Sequence, residues 1–194
     1  MLINPEKILA ELLLSHGPIR ASELLARDQY ESLRPDLLAI GLEHKRHRRT
    51  RLNESLTLLL ESRATVWLQI QEELRWLSKP NKEETTEILE TNNLIAPCAN
   101  NPTATIFIDG SDSRVIHEYA RSLNQNTLMI DLIFDGWTYS AAPIEGDSIR
   151  NDFIHSRKFF RGGSSDYADQ VRMMGSKIKE LSPLARLSTR SYSD

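Results

Sequence analysis

Between Leu42 and Leu77 the sequence gathers the side chains best placed by type and spacing to form a polar site. A cationic run, His44-Lys45-Arg46-His47-Arg48-Arg49-Thr50-Arg51, comes first, and Glu61, Gln69, Glu72, Arg75 and Trp76 follow it. Closely spaced arginines repel one another, so such a run is sustained by carboxylates, phosphates or the acidic face of a partner. Glu61 and Glu72 are the internal candidates. If a hairpin closes around Asn53-Glu54-Ser55, Glu61 falls near Arg46 or Arg48, and Glu72 approaches from the helix that follows. The expected recognition surface is therefore Arg46, Arg48, Arg49, Glu61, Gln69, Glu72, Arg75 and Trp76. Trp76 closes a pocket, anchors a partner or packs beneath Arg46 or Arg48.

The same residues suggest two other chemistries. His44 and His47 with Glu61 and Glu72 offer nitrogen and oxygen ligands for zinc, iron or manganese, although the neighbouring arginines oppose a divalent ion. No metal or cofactor is assigned on this basis. Binding of nucleic acid through residues 45–51 would use the positive charge, but no aromatic side chain interleaves the cluster as a stacking platform. A phosphate loop is excluded by the lack of a Gly-rich run followed by Lys and Ser or Thr. Gly162-Gly163-Ser164-Ser165 reads as a loop. Cys98 after Pro97 has no histidine at a motif-like spacing and reads as a passive thiol. Asp109, Asp112, Asp131 and Asp135 read as turn and cap residues at strand ends.

These side chains must be positioned by helices and strands whose signals are legible. Asn4-Pro5 opens a helix with Ile8, Leu9, Leu12 and Leu13 on one stripe, and Gly17-Pro18 ends it. Ser22-Glu23 opens a short turn towards Tyr30 and Leu33. Pro35 to about Lys45 reads as a helix, Arg49 to Arg51 and Leu56 to Leu60 as two strands, and Ala64 to Ser78 as a helix burying Val66, Trp67, Ile70, Leu74 and Leu77. Glu83 to Thr91 forms another amphipathic segment, and Asn92 to Pro97 a connection. Strands are predicted over Thr103 to Asp109, Thr127 to Phe134 and Trp137 to Pro143, with a helix over Ser113 to Leu123. Beyond Glu145 the pattern breaks into short segments around Gly146, Gly162 and Gly163, except for a helix over Tyr167 to Leu181.

The expected fold is an α+β single domain, a mainly antiparallel sheet with packed helices. Residues 1–34 form an N-terminal helical arm, 35–187 the core and 188–194 a frayed tail. The 194 residues suffice for one core, and 24 basic against 27 acidic residues give a net charge of −3. No global field therefore draws the chain to nucleic acid or anionic lipid. A single cysteine excludes an internal disulfide, no apolar run reaches the ~18 residues that span a bilayer, and no cleavable leader is seen. A cytoplasmic protein with no membrane partner is expected.

Tyr30-Glu31-Ser32-Leu33-Arg34-Pro35, Lys45-Arg46-His47-Arg48-Arg49, Leu60-Glu61, Thr65 through Arg75, Asn93-Leu94-Ile95-Ala96-Pro97 and Thr103 through Ile108 together resemble the domain of unknown function 3501 family in order and spacing. Leu77 stands where that family usually has Glu, and Asn92-Asn93 where it has Tyr-Asn. Genes of the family often lie beside those for rubrerythrin-like and iron–sulfur oxidoreductase proteins, so the resemblance implies a link to redox or peroxide metabolism. The function expected is an accessory or protein-binding subunit with an oxidoreductase partner. The alternatives are a metal-dependent redox enzyme using Glu61 and Glu72, and a nucleic-acid-binding protein acting through residues 45–51.

Overall fold

Asn4 begins the first helix as its side chain predicts: Oδ1 accepts from the backbone N–H groups of Glu6 and Lys7 at 2.8 and 3.2 Å, and Pro5 fills the first helical position, where no N–H is needed. The computed structural model describes residues 4–98, 103–108, 114, 117–118, 121, 129–134, 137–144, 157–162 and 184–188. The chain divides into two compact units, one of Met1–His47 with Glu61–Ala99 and one of Arg48–Leu60 with Asn100–Asp194.

The first unit is helical. It holds α1 (Pro5–Leu14), a 3-10 turn (Ala21–Glu23), α2 (Arg27–Arg48, its last residue reaching the second unit), α3 (Arg63–Trp76) and α4 (Lys82–Asn93). Leu9 and Leu12 of α1 are buried, whereas Leu13 of the expected stripe is exposed. Gly17, at φ 88, takes the left-handed conformation that follows the end of α1, and its N–H donates to the Pro97 carbonyl.

The expectation that a helix starts at Pro35 is corrected: α2 begins at Arg27 and runs through Pro35. A helix-interior proline forfeits one backbone hydrogen bond and costs about 3 kcal/mol. Contacts on both sides of it offset that cost. Tyr30 and Arg34 before the proline, and Leu37, Gly41 and His44 after it, recur at helical spacing on one stripe. Tyr30, Leu37 and Gly41 are buried.

The partner of this stripe is α3, and the order of the contacts fixes the sense of the pair. Arg27 reaches the Leu77 and Ser78 carbonyls, Arg34 reaches Glu72, and His44 reaches Ser62. The two helices are therefore antiparallel. Tyr30 meets Trp67 edge-to-face with ring centroids 6.2 Å apart, a geometry worth roughly 0.5–1.5 kcal/mol beyond the area buried. α3 is buried continuously from Arg63 to Leu68, so its first half is a central element rather than an amphipathic surface helix.

The second unit is built on a seven-stranded antiparallel sheet in the order β1-β2-β3-β6-β5-β4-β7. Its strands are β1 (Arg49–Arg51), β2 (Leu56–Leu60), β3 (Thr103–Ile108), β4 (Met129–Phe134), β5 (Trp137–Pro143), β6 (Arg157–Gly162) and β7 (Leu184–Ser188). The predicted hairpin is present: Arg49 pairs with Leu59 and Arg51 with Thr57. Asn53 Oδ1 accepts from the N–H groups of Ser55 and Leu56, both at 2.8 Å, which closes the turn. Leu58-Leu59-Leu60 are all buried, the mark of a strand covered on both faces.

β4 and β5 pair antiparallel from Ile130 with Ala141 to Phe134 with Trp137. Beyond Glu145, where the sequence pattern breaks into short segments, the structure has two strands: β6 lies between β3 and β5, and β7 pairs with β4. Of the predicted helix over Ser113 to Leu123, Arg114, His117, Glu118 and Arg121 are described and helical. The predicted helix over Tyr167 to Leu181 lies outside the described residues. The α+β class and the antiparallel sheet stand.

Candidate functional site

The antiparallel α2–α3 pair brings together a chain of charged groups at the end where α3 finishes. Glu72 Oε1 accepts from the Tyr30 hydroxyl at 2.7 Å and from Arg34 Nε at 2.7 Å, while Oε2 accepts from Arg34 Nη2 at 2.9 Å. The contact with Arg34 is bidentate, the geometry in which guanidinium and carboxylate match best. Hydrogen bonding by Arg34 holds the Glu72 carboxyl below the usual carboxylate range despite partial burial. Burial and the adjacent carboxylate push the Tyr30 phenol far above its ordinary value. The tyrosine therefore serves as a neutral donor.

Arg75 continues the chain. Its Nε lies 2.9 Å from Glu31 Oε1, yet it makes no aligned hydrogen bond, so the pair is a charge contact. Its guanidinium stands 5.5 Å above the ring of Trp76. Trp76 is 78% exposed. Arg27 donates to the Leu77 and Ser78 carbonyls at 2.7 and 2.9 Å, so the backbone beyond the tryptophan is tied to α2. The result is an exposed indole on a fixed support, flanked by a cation that holds it from one face.

The other expected site residues occupy different surroundings. Gln69 Nε2 donates to Asn92 Oδ1 at 2.6 Å and to Glu73 Oε1 at 3.1 Å, and so joins α3 to α4. Arg46, near the end of α2, contacts Glu43 at 3.7 Å with both side chains well exposed, a pair of little energetic weight. Arg48 Nε donates to the Leu60 carbonyl at 2.8 Å, bracing the hairpin. Arg49 in β1 places its guanidinium 5.2 Å over Phe107 of β3. Glu61 is buried and accepts from the Thr65 hydroxyl.

Two expectations are thereby corrected. The arginine that Glu72 engages is Arg34, not a member of the 46–49 cluster, because Tyr30 and Arg34 share the α2 stripe that faces α3. The cation over Trp76 is Arg75, its neighbour in sequence, rather than Arg46 or Arg48. His44 and His47 also diverge: His44 Nε2 lies 3.0 Å from Ser62 Oγ, and His47 Nε2 lies 2.9 Å from Glu43 on the exposed side of α2. Among the described residues no three His, Cys, Asp or Glu side chains converge as a metal would require. Cys98 is exposed.

The model of the protein of unknown function DUF3501 matches residues 18–180 of the chain. The chain belongs to that family. No curated protein matches it. Among solved structures it is similar to a protein of unknown function from Burkholderia pseudomallei, with a TM-score of 0.66 and 17% identity over 90% of this chain and 88% of that one. At that identity the likeness is one of fold.

Within this DUF3501 chain, the residue that sequence reasoning missed is Arg63. It is buried at 6% exposure, and its guanidinium donates to the Gly17 carbonyl, Ser15 Oγ, the Pro18 carbonyl and Glu23 Oε2 at 3.0, 2.8, 3.0 and 2.6 Å. Burial alone would raise the Glu23 carboxyl, but hydrogen bonds from Arg63 and from the Arg20 backbone hold it below its ordinary value. Asn93 completes the fastening: its side chain exchanges hydrogen bonds with the Ile19 backbone at 2.7 and 2.9 Å. A signal for Arg63 was present. A cation in the first turn of a helix opposes the helix dipole and calls for an acceptor elsewhere.

Proposed function

We propose that this DUF3501 chain is a protein-binding accessory subunit, and that it docks its partner through the end of the α2–α3 pair centred on Trp76 and Arg75. The observation that carries this reading is the exposure of Trp76 on a rigid mount. Tryptophan and arginine dominate the binding energy of protein interfaces, because one buries a large ring and the other makes several directed contacts. Arg75, Glu31, Arg34, Glu72 and Arg27 are already held in place, so little side-chain freedom is lost on binding. Among the described residues no helix is long and apolar enough to cross a membrane, and the partner proposed is a protein of the cytoplasm. An oxidoreductase is the first to try, on the strength of the redox setting that the family resemblance implies.

The test is capture from the native host with the tagged chain, followed by titration of the recovered partner by calorimetry. Trp76→Ala should weaken binding by roughly 2 kcal/mol or more, a hot-spot loss, while circular dichroism stays unchanged because the ring is not in the core. Arg75→Ala should weaken it too. Unaltered affinity in Trp76→Ala would rule this surface out.

A further inference from the structure

The sheet supplies what the cationic run lacks in sequence, an aromatic side chain among its arginines. Paired residues of an antiparallel sheet lie on one face, and residues two apart along a strand share it. The register therefore sets Arg51, Thr57, Phe107 and Arg157 in one row across β1, β2, β3 and β6, with Arg49 on the same face one row further along. Arg49 reaches across β2, its guanidinium standing 5.2 Å from the centroid of the Phe107 ring. Arg49 and Arg51 are exposed, and Phe107 is half-buried. In the row that begins with Arg49, Leu59 and Thr105 are buried, so the open surface is the strip at the end of the sheet nearest the Asn53 turn. No acidic residue occurs in any of these four strands.

The two exposed arginines are held in different ways. Arg51 donates from Nε to the Asn53 carbonyl at 3.0 Å and from Nη2 to the Glu54 carbonyl at 3.1 Å, which fixes its direction and leaves Nη1 open. Arg49 has no hydrogen-bond or ion-pair partner among the described residues; its cation rests on the ring alone. A guanidinium is a plane with donors around its rim. With Phe107 on one side, Arg49 offers its other side to a flat ligand and its rim to an anion. Nucleobases stack on arginine planes, and phosphodiesters take the rim donors. A carboxylate on a peptide would use the rim and leave the plane idle.

We propose that this strip binds single-stranded nucleic acid: a base stacks on the outer side of Arg49, and the flanking phosphates are held by Arg49 and Arg51, with Arg157 next in the row. The attraction is local, since the chain as a whole carries a net charge of −3. A duplex, whose bases are already stacked on one another, forgoes the stacking contribution. The strip belongs wholly to the second unit and shares no residue with the Trp76 surface.

Fluorescence anisotropy of the full chain with labelled oligo(A) of about ten nucleotides, as RNA and as DNA, tests this at about 50 mM salt. Binding should weaken as salt rises, with a logarithmic slope of about −1.4 to −2.1 for two or three phosphate contacts. Arg49→Ala should weaken it about tenfold, as the loss of one stacked base does. Arg49→Lys, which keeps the charge but not the plane, should retain the salt slope, bind more weakly than wild type and lose the fluorescence change of an oligonucleotide carrying 2-aminopurine. Both variants alter an exposed side chain, so circular dichroism should stay unchanged. Lys7→Ala, which removes an exposed charge from α1, should leave affinity alone. Absence of binding by the wild-type chain at low salt would overturn the proposal, as would full rescue by Arg49→Lys or duplex binding as tight as that of the single strand. Displacement by polyglutamate as effective as by unlabelled oligo(A) would also overturn it, marking the strip as one for an acidic peptide.

Discussion

Arg63 sets the balance of forces at the level of single side chains. Its guanidinium is removed from water and donates to four oxygens of the Ser15–Glu23 stretch. Replacement by methionine would take the donor from the Gly17 and Pro18 carbonyls and Ser15 Oγ and leave Glu23 with only the Arg20 N–H. Loss of hydrogen bonds to a charged group costs about 1.5–3 kcal/mol, so Arg63→Met should shift the urea midpoint markedly, whereas Arg46→Met at an exposed pair should hardly move it. Glu72 makes a prediction with a pH signature. Its folded carboxyl is held below the ordinary value, so its contribution is present above the unfolded carboxylate range and is lost as pH falls through the lower folded one. Glu72→Gln should therefore lower the thermal midpoint near neutral pH, and the gap between variant and wild type should close in acid. A constant gap at all pH values would mean that packing, not charge, is lost. The sequence disclosed that Glu72 and Arg75 belonged to a polar cluster, but not which cation each would meet. That depends on the rotational setting of α2, and the proline in its middle masked the stripe running from Tyr30 to His44.

Periodicity was a reliable guide to most elements because a buried face leaves its spacing in the sequence. The stretch Leu56 to Leu60 announced β2, and Val66, Trp67 and Ile70 announced α3. What escaped was the length of α2, since the local penalty of Pro35 is outweighed by tertiary contacts that no window of residues contains, and the short strands β6 and β7, whose own residues carry no clear alternation. The closeness of α2 to α3 has its own test at Gly41. A Cβ placed there would lie 2.4 Å from Leu68 Cδ1, and Leu68 is itself buried. Alanine gains about 1 kcal/mol in helix propensity over glycine, but overpacking costs typically 1–3 kcal/mol. Gly41→Ala should thus be destabilising by about 1 kcal/mol on balance. In a double-mutant cycle with Leu68→Ala, denaturant unfolding should show the two changes to be less than additive, because the shortened side chain makes room for the methyl group.

Neither compact unit is a continuous piece of chain: the strands β1 and β2 are encoded between the two helices of the antiparallel pair, while their sheet neighbour β3 comes after α4. A fragment ending at Ala99 retains the hairpin but strips β2 of its β3 partner. It should associate through that open edge, which gel filtration with light scattering would detect. A stable monomer would show that β2 is content without its neighbour.

The pairing of Leu56 with Ile108 also dictates an order of events while the protein is being made. The leucine-rich strand leaves the ribosome well before the segment that shields it, and at about 5–20 residues per second that interval lasts several seconds. During it a greasy, hydrogen-bond-hungry ribbon is open to any other nascent chain nearby. Yield in the cell should consequently depend on chaperone supply and on translation speed between these two strands more than on the equilibrium strength of the finished molecule.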